Sequence, residues 1–326
     1  MFSDHVPRID SPVRAPLFAR LILAAAALGI PCGGASPQSA PATKPASPSL
    51  REFQPGVQID WAARAVRLRG TVVLRDGALE YFACFPGKEH ESIVRLDAQP
   101  EHVYMALGLI GVLPGRPAAW DEQRRRFVPP AGEFVDLSAE WTEAGTTRGC
   151  DAFNWLLEIA YARVPLARPW VFTGSQRLPD GRLSAVQTGA GIALVDDPDC
   201  LLAMTSPRSS SNADLWVRAR TDAIPAEGTD VTVVLRAAAP RRHMYGIDFR
   251  GAAFVDGRFA SRADLLDLLD IELRQSQGEL LTIHAAETPA CELYRLREFL
   301  DGSGFGPQRV RIAAASTQPA PIRATP

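Results

Sequence analysis

Lys88-Glu89-His90-Glu91 is the most polar short cluster in the chain. A lysine, two carboxylates and an imidazole within four residues could hold a metal ion or move a proton. Strand geometry argues against the metal site. Neighbours along a strand alternate faces, so Glu89 and Glu91 would point one way and His90 the other. In a strand the three would then not reach one ion; in a loop they could, with poor preorganisation. A polar strand edge with a hydrogen-bonded histidine is the reading these residue types support, with Lys88, Glu89, His90 and Glu91 as candidate ligand-binding residues. An enzyme or metal-dependent module centred on Lys88 to Ser92 is the competing reading. It requires Glu89, His90 and Asp97 to converge in one pocket.

Other chemistry-bearing residues are scattered. His90, His102, His243 and His284 include no pair at helical spacing, so no helical zinc site is expected. Cys84 near His90 suggests a thiol nucleophile, but no third group is in place to orient the histidine, and a buried cysteine is the simpler account. Ser175 follows Gly174 without a G-x-S-x-G elbow. Gly302-Ser303-Gly304-Phe305-Gly306 imitates a phosphate loop, yet it follows a helix pattern and precedes a strand pattern. That is the reverse of a dinucleotide loop, and a capping turn fits better. Trp61, Trp120, Trp141, Trp155, Trp170 and Trp216 could line a sugar-binding face, though core packing explains most of them. No catalytic residue, metal site or cofactor is expected.

The elements that must position these residues fall into two regions. Phe53 to Ala237 reads as mostly β with one or two helices. Strands are expected at Ala65 to Leu74, Ala78 to Phe85, Ser92 to Leu96 and five later stretches. Asp76-Gly77 marks a hairpin turn, because both residue types tolerate positive φ. Pro100 to Leu113 has apolar residues at i, i+3, i+4 and i+7 (Val103, Ala106, Leu107, Ile110) and predicts a helix. Asp151 to Ala162 is a second helix candidate. Met244 to Ala314 reads as a small ββαβαβ sandwich. Ser261 and Asp264 form a capping box for its first helix, and Thr288-Pro289 opens its second. The fold class is α+β: a β-rich domain over 53–237 and an α/β domain over 244–314.

The ends predict a compartment. Arg14 and Arg20 precede an apolar run, Leu21 to Ile30, which Pro31 and the small residues Gly33 to Ala35 close. That order is a signal peptide over 1–35, and the run is shorter than the ~20 residues a membrane span needs. Cys32 offers a lipid-anchor alternative. Residues 36–52 and 315–326 are Pro/Ala/Ser-rich and read as a disordered linker and tail. Export implies a periplasmic or cell-envelope location. Cys84, Cys150, Cys200 and Cys291 then permit disulfides in three full pairings, or remain buried thiols. The net charge of -2 gives no field for nucleic acid, and Lys44 and Lys88 are the only lysines.

Two resemblances arise at these residues. Phe53 to Ala237 resembles the YdjY-domain proteins of planctomycete-like bacteria. The likeness is carried by LRDGALEYFAC (Leu74 to Cys84), KEHES (Lys88 to Ser92), GVLPGRP (Gly111 to Pro117), WVFTGS (Trp170 to Ser175), SSSNADLW (Ser209 to Trp216) and IPAEGTDVTVVL (Ile224 to Leu235). That family supplies little mechanism. It is sometimes labelled ferredoxin-like, but the cysteines lack the C-x-x-C clustering of an iron–sulfur site. Met244 to Ala314 resembles the periplasmic domain of ExbD/TolR transport proteins, through DGRF (Asp256 to Phe259), LLTIHA (Leu280 to Ala285) and REFLDGSGFGPQRVRIA (Arg297 to Ala313). Ala286 stands where that family often has aspartate, and the family's proton-carrying membrane helix has no counterpart. The resemblance therefore implies docking without energy coupling. Together these expectations describe an exported, non-catalytic envelope protein that binds or scaffolds an envelope partner, or a second copy of itself, through its C-terminal domain.

Overall fold

A computed structural model describes residues 49–314, apart from 124, 206–208 and 212–213. The expected leader, Cys32, most of the linker, the tail and part of the SSSNADLW run lie outside these residues. The first domain contains β1 (Leu50–Gln54), β2 (Val57–Asp60), β3 (Ala65–Val72), β4 (Tyr81–Cys84), β5 (Ser92–Leu96), α1 (Pro100–Leu109), β6 (Ala119–Asp121), β7 (Arg126–Val128), β8 (Phe134–Glu143) and β9 (Thr146–Asp151). It continues with β10 (Leu156–Glu158), β11 (Trp170–Phe172), the short helix α2 (Ala185–Thr188), β12 (Ile192–Ala193), β13 (Leu202–Ala203), β14 (Val217–Ala219) and β15 (Asp230–Ala237).

Eight of these strands close a ring. Their order is β3-β15-β8-β11-β13-β12-β4-β5, and β5 pairs back onto β3 through Gly70–Leu96, Thr71–Arg95 and Val72–Val94. Closure needs β3 to change partner midway along one edge. Its first half, Ala65 to Leu68, pairs with β2, and its second half pairs with β5. Gly70 sits at the change. A Cβ there would lie 2.7 Å from the Arg95 carbonyl oxygen, so only glycine lets β5 approach. The ring is filled by Phe82, Phe153, Trp155, Trp170 and Phe172, all buried. Alternation along β3 and β8 turns Val66, Leu68, Val135, Leu137 and Ala139 inward and charged residues outward.

Two local expectations fail for physical reasons. Asp76-Gly77 is a turn, but it makes no β3–β4 hairpin. Ala78 bridges Arg218 and Leu79 donates to the Val217 carbonyl, so the chain is drawn to β14. β4 then runs parallel to β5 and antiparallel to β12. All four β4 residues are buried, which suits a strand flanked on both sides rather than one arm of an exposed hairpin. Asp151 to Ala162 is not a helix. The Asp151 carboxylate accepts from Phe153 N at 2.9 Å and caps one 3-10 turn, Ala152–Trp155, after which β10 begins. A short, fully apolar run does not reveal which element buries it. α1 keeps its expected face, with Val103, Ala106 and Leu107 buried, and stops at Leu109. Gly111 follows at φ 81°, in the left-handed region that ends helices.

The second domain runs β16 (Tyr245–Ile247), β17 (Ala253–Val255), β18 (Arg258–Ala260), α3 (Arg262–Gln275), β19 (Leu281–Ala285), α4 (Ala290–Gly302) and β20 (Val310–Ala314). Its sheet order is β18-β17-β16-β19-β20, with β16, β19 and β20 parallel. The order is βββαβαβ, one strand more than expected. The Asp256-Gly257 turn returns the chain as β18, a strand of three residues that carries no readable period. The expected capping box is present. Ser261 Oγ accepts from Asp264 N at 3.1 Å, and Asp264 Oδ2 accepts from Ser261 N at 3.1 Å. Leu265, Leu268, Leu269, Ile271 and Leu273 of α3 pack with Ile283, Leu300, Phe305 and Val310 as a second hydrophobic core. Leu166 of the first domain belongs to this core as well. No helix of the described residues is long and apolar enough to cross a membrane.

Candidate functional site

Lys88 to Glu91 forms a loop and one 3-10 turn, Glu89–Glu91, instead of a strand edge. The turn sorts the four side chains. Lys88 and Glu91 point toward the protein and pair, Nζ to Oε1, at 2.7 Å. Glu89 folds back to accept from Gly87 N at 2.9 Å. His90 is 75% exposed, with only Glu91 Oε2 nearby at 3.6 Å. Asp97 pairs with Arg95 and lines a different cleft, with Arg67, Arg69 and Glu140. The convergence that an enzyme reading requires is therefore not formed. Among the described residues, no group of three His, Cys, Asp or Glu side chains is placed to hold a metal ion.

Lys88 also meets Tyr81, and through Tyr81 the distant Asp197 joins the cluster. The Lys88 ammonium lies 4.8 Å from the centre of the Tyr81 ring. The Tyr81 hydroxyl donates to Asp197 Oδ2, and Asp197 Oδ1 accepts from Asp199 N at 2.8 Å. The Cys200 thiol donates to the Asp197 carbonyl at 3.0 Å, and Thr173 Oγ1 donates to the Cys200 carbonyl at 2.7 Å. Tyr81 and Asp197 come from β4 and from the turn before β13. Nothing in the spacing of KEHE pointed to them.

Burial and pairing set the protonation preferences of this cluster. Burial opposes the Lys88 charge, but the Glu91 carboxylate and then Asp197 outweigh it and hold the amine above its ordinary value. A permanently charged lysine is no nucleophile. Burial pushes the Asp197 carboxyl up, partly offset by the Tyr81 hydrogen bond. Burial, then the charge of Glu91, raises Glu80. Burial likewise pushes the Cys84 thiol up to about 11 and Cys150 to about 11, and holds Cys200 well above the ordinary thiol value. All four described cysteines are free. Reactive thiols need the opposite shift. Ser175 has a strained φ of 61°, but its Oγ is held by Ser184 Oγ at 3.0 Å and by Ala185 N at 3.2 Å, with no imidazole among its partners. The Lys88 amine and the three thiols are thus shifted away from their nucleophilic forms.

A partly exposed ion pair of this kind contributes little. Lys88→Met is expected to lower unfolding free energy by about 1 kcal/mol or less, measured by urea denaturation, with the metal content of the purified protein unchanged at zero. A stoichiometric metal lost on replacing His90 would contradict it.

The strongest electrostatic assembly lies elsewhere, where the two domains meet. Arg168 is 0% exposed and donates to Asp264 Oδ1 at 2.8 Å and Asp267 Oδ2 at 2.5 Å, both on α3. Thr205 Oγ1 donates to Asp267 Oδ1 at 2.5 Å. Arg163 pairs with Glu158 at 2.7 Å and with Asp264 at 3.2 Å. Sequence reasoning assigned Asp264 to the helix cap alone. The missed signal was a second acid three residues on, which puts Asp264 and Asp267 on one helix face.

The YdjY domain family model matches residues 57–236. No curated protein and no solved structure matches the chain. The matched span opens at the start of β2 and ends within β15, so it contains every strand of the closed ring. The chain belongs to the YdjY-domain family.

Proposed function

We propose that the protein is an exported, non-catalytic cell-envelope protein whose YdjY domain carries a C-terminal interaction domain of the ExbD/TolR kind. One observation carries the reading: the second domain leaves a sheet face without a helical cover. Leu281, Ile283 and Ala285 of β19 are buried beneath the helices, whereas His284 is exposed and Thr282 half-buried. The cross-strand row Phe259–Phe254–Gly246–His284–Ala313 lies on that outer face. Phe259 and Met244 are exposed beside it. Among the described residues, β20 ends the sheet with no strand on its outer side. An uncovered face ending in an open edge is a surface on which another chain can add. The partner is a second copy or another envelope protein. The raised Lys88 amine and Cys84 and Cys200 thiols speak against nucleophilic catalysis there, and the leader-like order of residues 1–35 supports export.

Light scattering on the purified protein over a range of concentrations tests this reading. A mass that rises toward twice the monomer value and is driven back by His284→Asp is expected. A monomer at every concentration, with no envelope protein cross-linked through this face, would overturn it. Mass spectrometry of envelope fractions should find the mature chain beginning near Ser36, or a lipid adduct at Cys32. An intact Met1 there would contradict export.

A further inference from the structure

The outer face of the ring is polar along one stretch. Arg69 of β3, Thr232 of β15 and Glu140 of β8 form one cross-strand row there. Side chains two residues apart on a strand share a face, so the next row holds Asp230 of β15 and Thr142 of β8. Thr142 is paired in turn with Thr147 of β9. Asp97, from the turn between β5 and α1, joins them from outside the row. These residues line a cleft of about 460 Å³. Small-molecule sites run from about 300 to 1,000 Å³, so the space suits a ligand the size of a short oligosaccharide.

Most charges in the cleft are already matched. Arg67 donates to both Glu140 oxygens, at 3.2 Å and 2.6 Å. Arg69 faces Glu52 at 3.8 Å, and Asp97 faces Arg95 at 3.5 Å. A strongly charged ligand would have to compete with these pairs. The hydroxyls are not matched. Among the described residues, the side chains of Thr142, Thr147 and Thr232 make no hydrogen bond, and Asp230 has no ion pair. Each free hydroxyl can donate once and accept twice, and Asp230 can accept. The Arg67–Glu140 pair is held by two bonds, so its remaining N–H groups and lone pairs keep a fixed orientation. Trp141 supplies apolar surface. Its ring is half-buried, 5.5 Å from Trp155 of the core, and lines the same cleft. Unpaired hydroxyls, a planar donor–acceptor pair and an aromatic surface match the two sides of a sugar, its hydroxyl rim and its C–H face.

We propose that this cleft binds a neutral oligosaccharide, with sugar hydroxyls on Thr232, Thr142 and the Arg67–Glu140 pair and a C–H face toward Trp141. The site lies wholly in the first domain and uses no residue of the open sheet face of the second, so it stands or falls independently of self-association.

The test is calorimetric titration of the whole protein with trisaccharides of different charge. The neutral probes are maltotriose, cellotriose and tri-N-acetylchitotriose; trigalacturonate is the anion and triglucosamine the cation. At least one neutral probe should saturate with a Kd of about 1 mM or tighter. Both charged trimers should bind at least roughly fivefold more weakly than it does. Thr232→Val keeps the side-chain shape and removes one hydroxyl, and should weaken that binding roughly fivefold. Its thermal midpoint should stay near that of the wild type, because the hydroxyl has no partner in the protein. Thr146→Val, next to the cleft in sequence but outside its lining, should leave the affinity unchanged. No saturation by any neutral probe, equal or tighter binding of either charged trimer, or an unchanged affinity in Thr232→Val would each overturn the proposal.

Discussion

Arg168→Met is expected to destabilise the protein by about 3–5 kcal/mol, the range measured when one partner of a buried ion pair is removed. The guanidinium is fully buried and is the main counter-charge for Asp264 and Asp267. Methionine replaces its volume but leaves two carboxylates desolvated on the buried face of α3. Asp264 would keep Arg163, and Asp267 would keep only the hydroxyl of Thr205. The loss should fall first on the contact between domains, because Arg168 and Leu166 come from one and α3 from the other. Urea unfolding followed by tryptophan fluorescence, and separately by far-UV circular dichroism, would measure it. All six tryptophans lie before residue 244, so fluorescence reports the first domain alone. The two probes should coincide in the wild type and separate in the variant. Asp267→Asn in the Arg168→Met background should recover part of the loss, since it removes the carboxylate that has lost its counter-charge.

The same network sets an acid limit. Burial would raise the Asp264 carboxyl, but the Arg168 charge and its hydrogen bond, aided by Ser261, outweigh burial and hold it below the ordinary range. A carboxyl depressed on folding contributes stability that is fully present above its unfolded value, about 3.9, and is lost as pH falls through the folded value. Stability should therefore be flat in this respect above about pH 5 and decline below about pH 4.

Trp155→Ala is expected to cost about 3–5 kcal/mol, as for other large-to-small changes in a core. Trp155 is fully buried, stacked on Phe82 at 5.8 Å and against Trp141 at 5.5 Å. It stands on the 3-10 turn that crosses the ring, so its loss opens a cavity that the flanking strands cannot close without breaking their pairing. Thermal unfolding should show a midpoint several degrees lower, and Trp155→Phe should recover much of the loss. A neutral Trp155→Ala would mean that the ring interior is loosely packed.

Local signals in the sequence were good guides to local structure. The period in Pro100 to Ile110, the Ser261–Asp264 box and the alternation in Leu281 to Ala285 each appear as α1, the α3 cap and β19. The fold class followed from their order. What no local signal carried was pairing across the chain. β3 meets β5 rather than β4, and β12 and β13 are two residues each, too short for any period. The candidate site divided the same way. Lys88 and Glu91 were visible as a polar pair in sequence, but Tyr81 and Asp197, which join them, come together only when the ring closes. Arg168 was hidden for a different reason. A lone arginine in Val164 to Trp170 looks like any surface cation until Leu166 is seen to enter the second core.

Scanning calorimetry of the wild-type protein at neutral pH tests most directly whether residues 49–314 act as one body, the YdjY domain holding the second domain in place. One transition with equal calorimetric and van't Hoff enthalpies is the expected result. Two resolved transitions, or a fragment from residue 244 onward that unfolds with the same midpoint alone as in the whole chain, would contradict it.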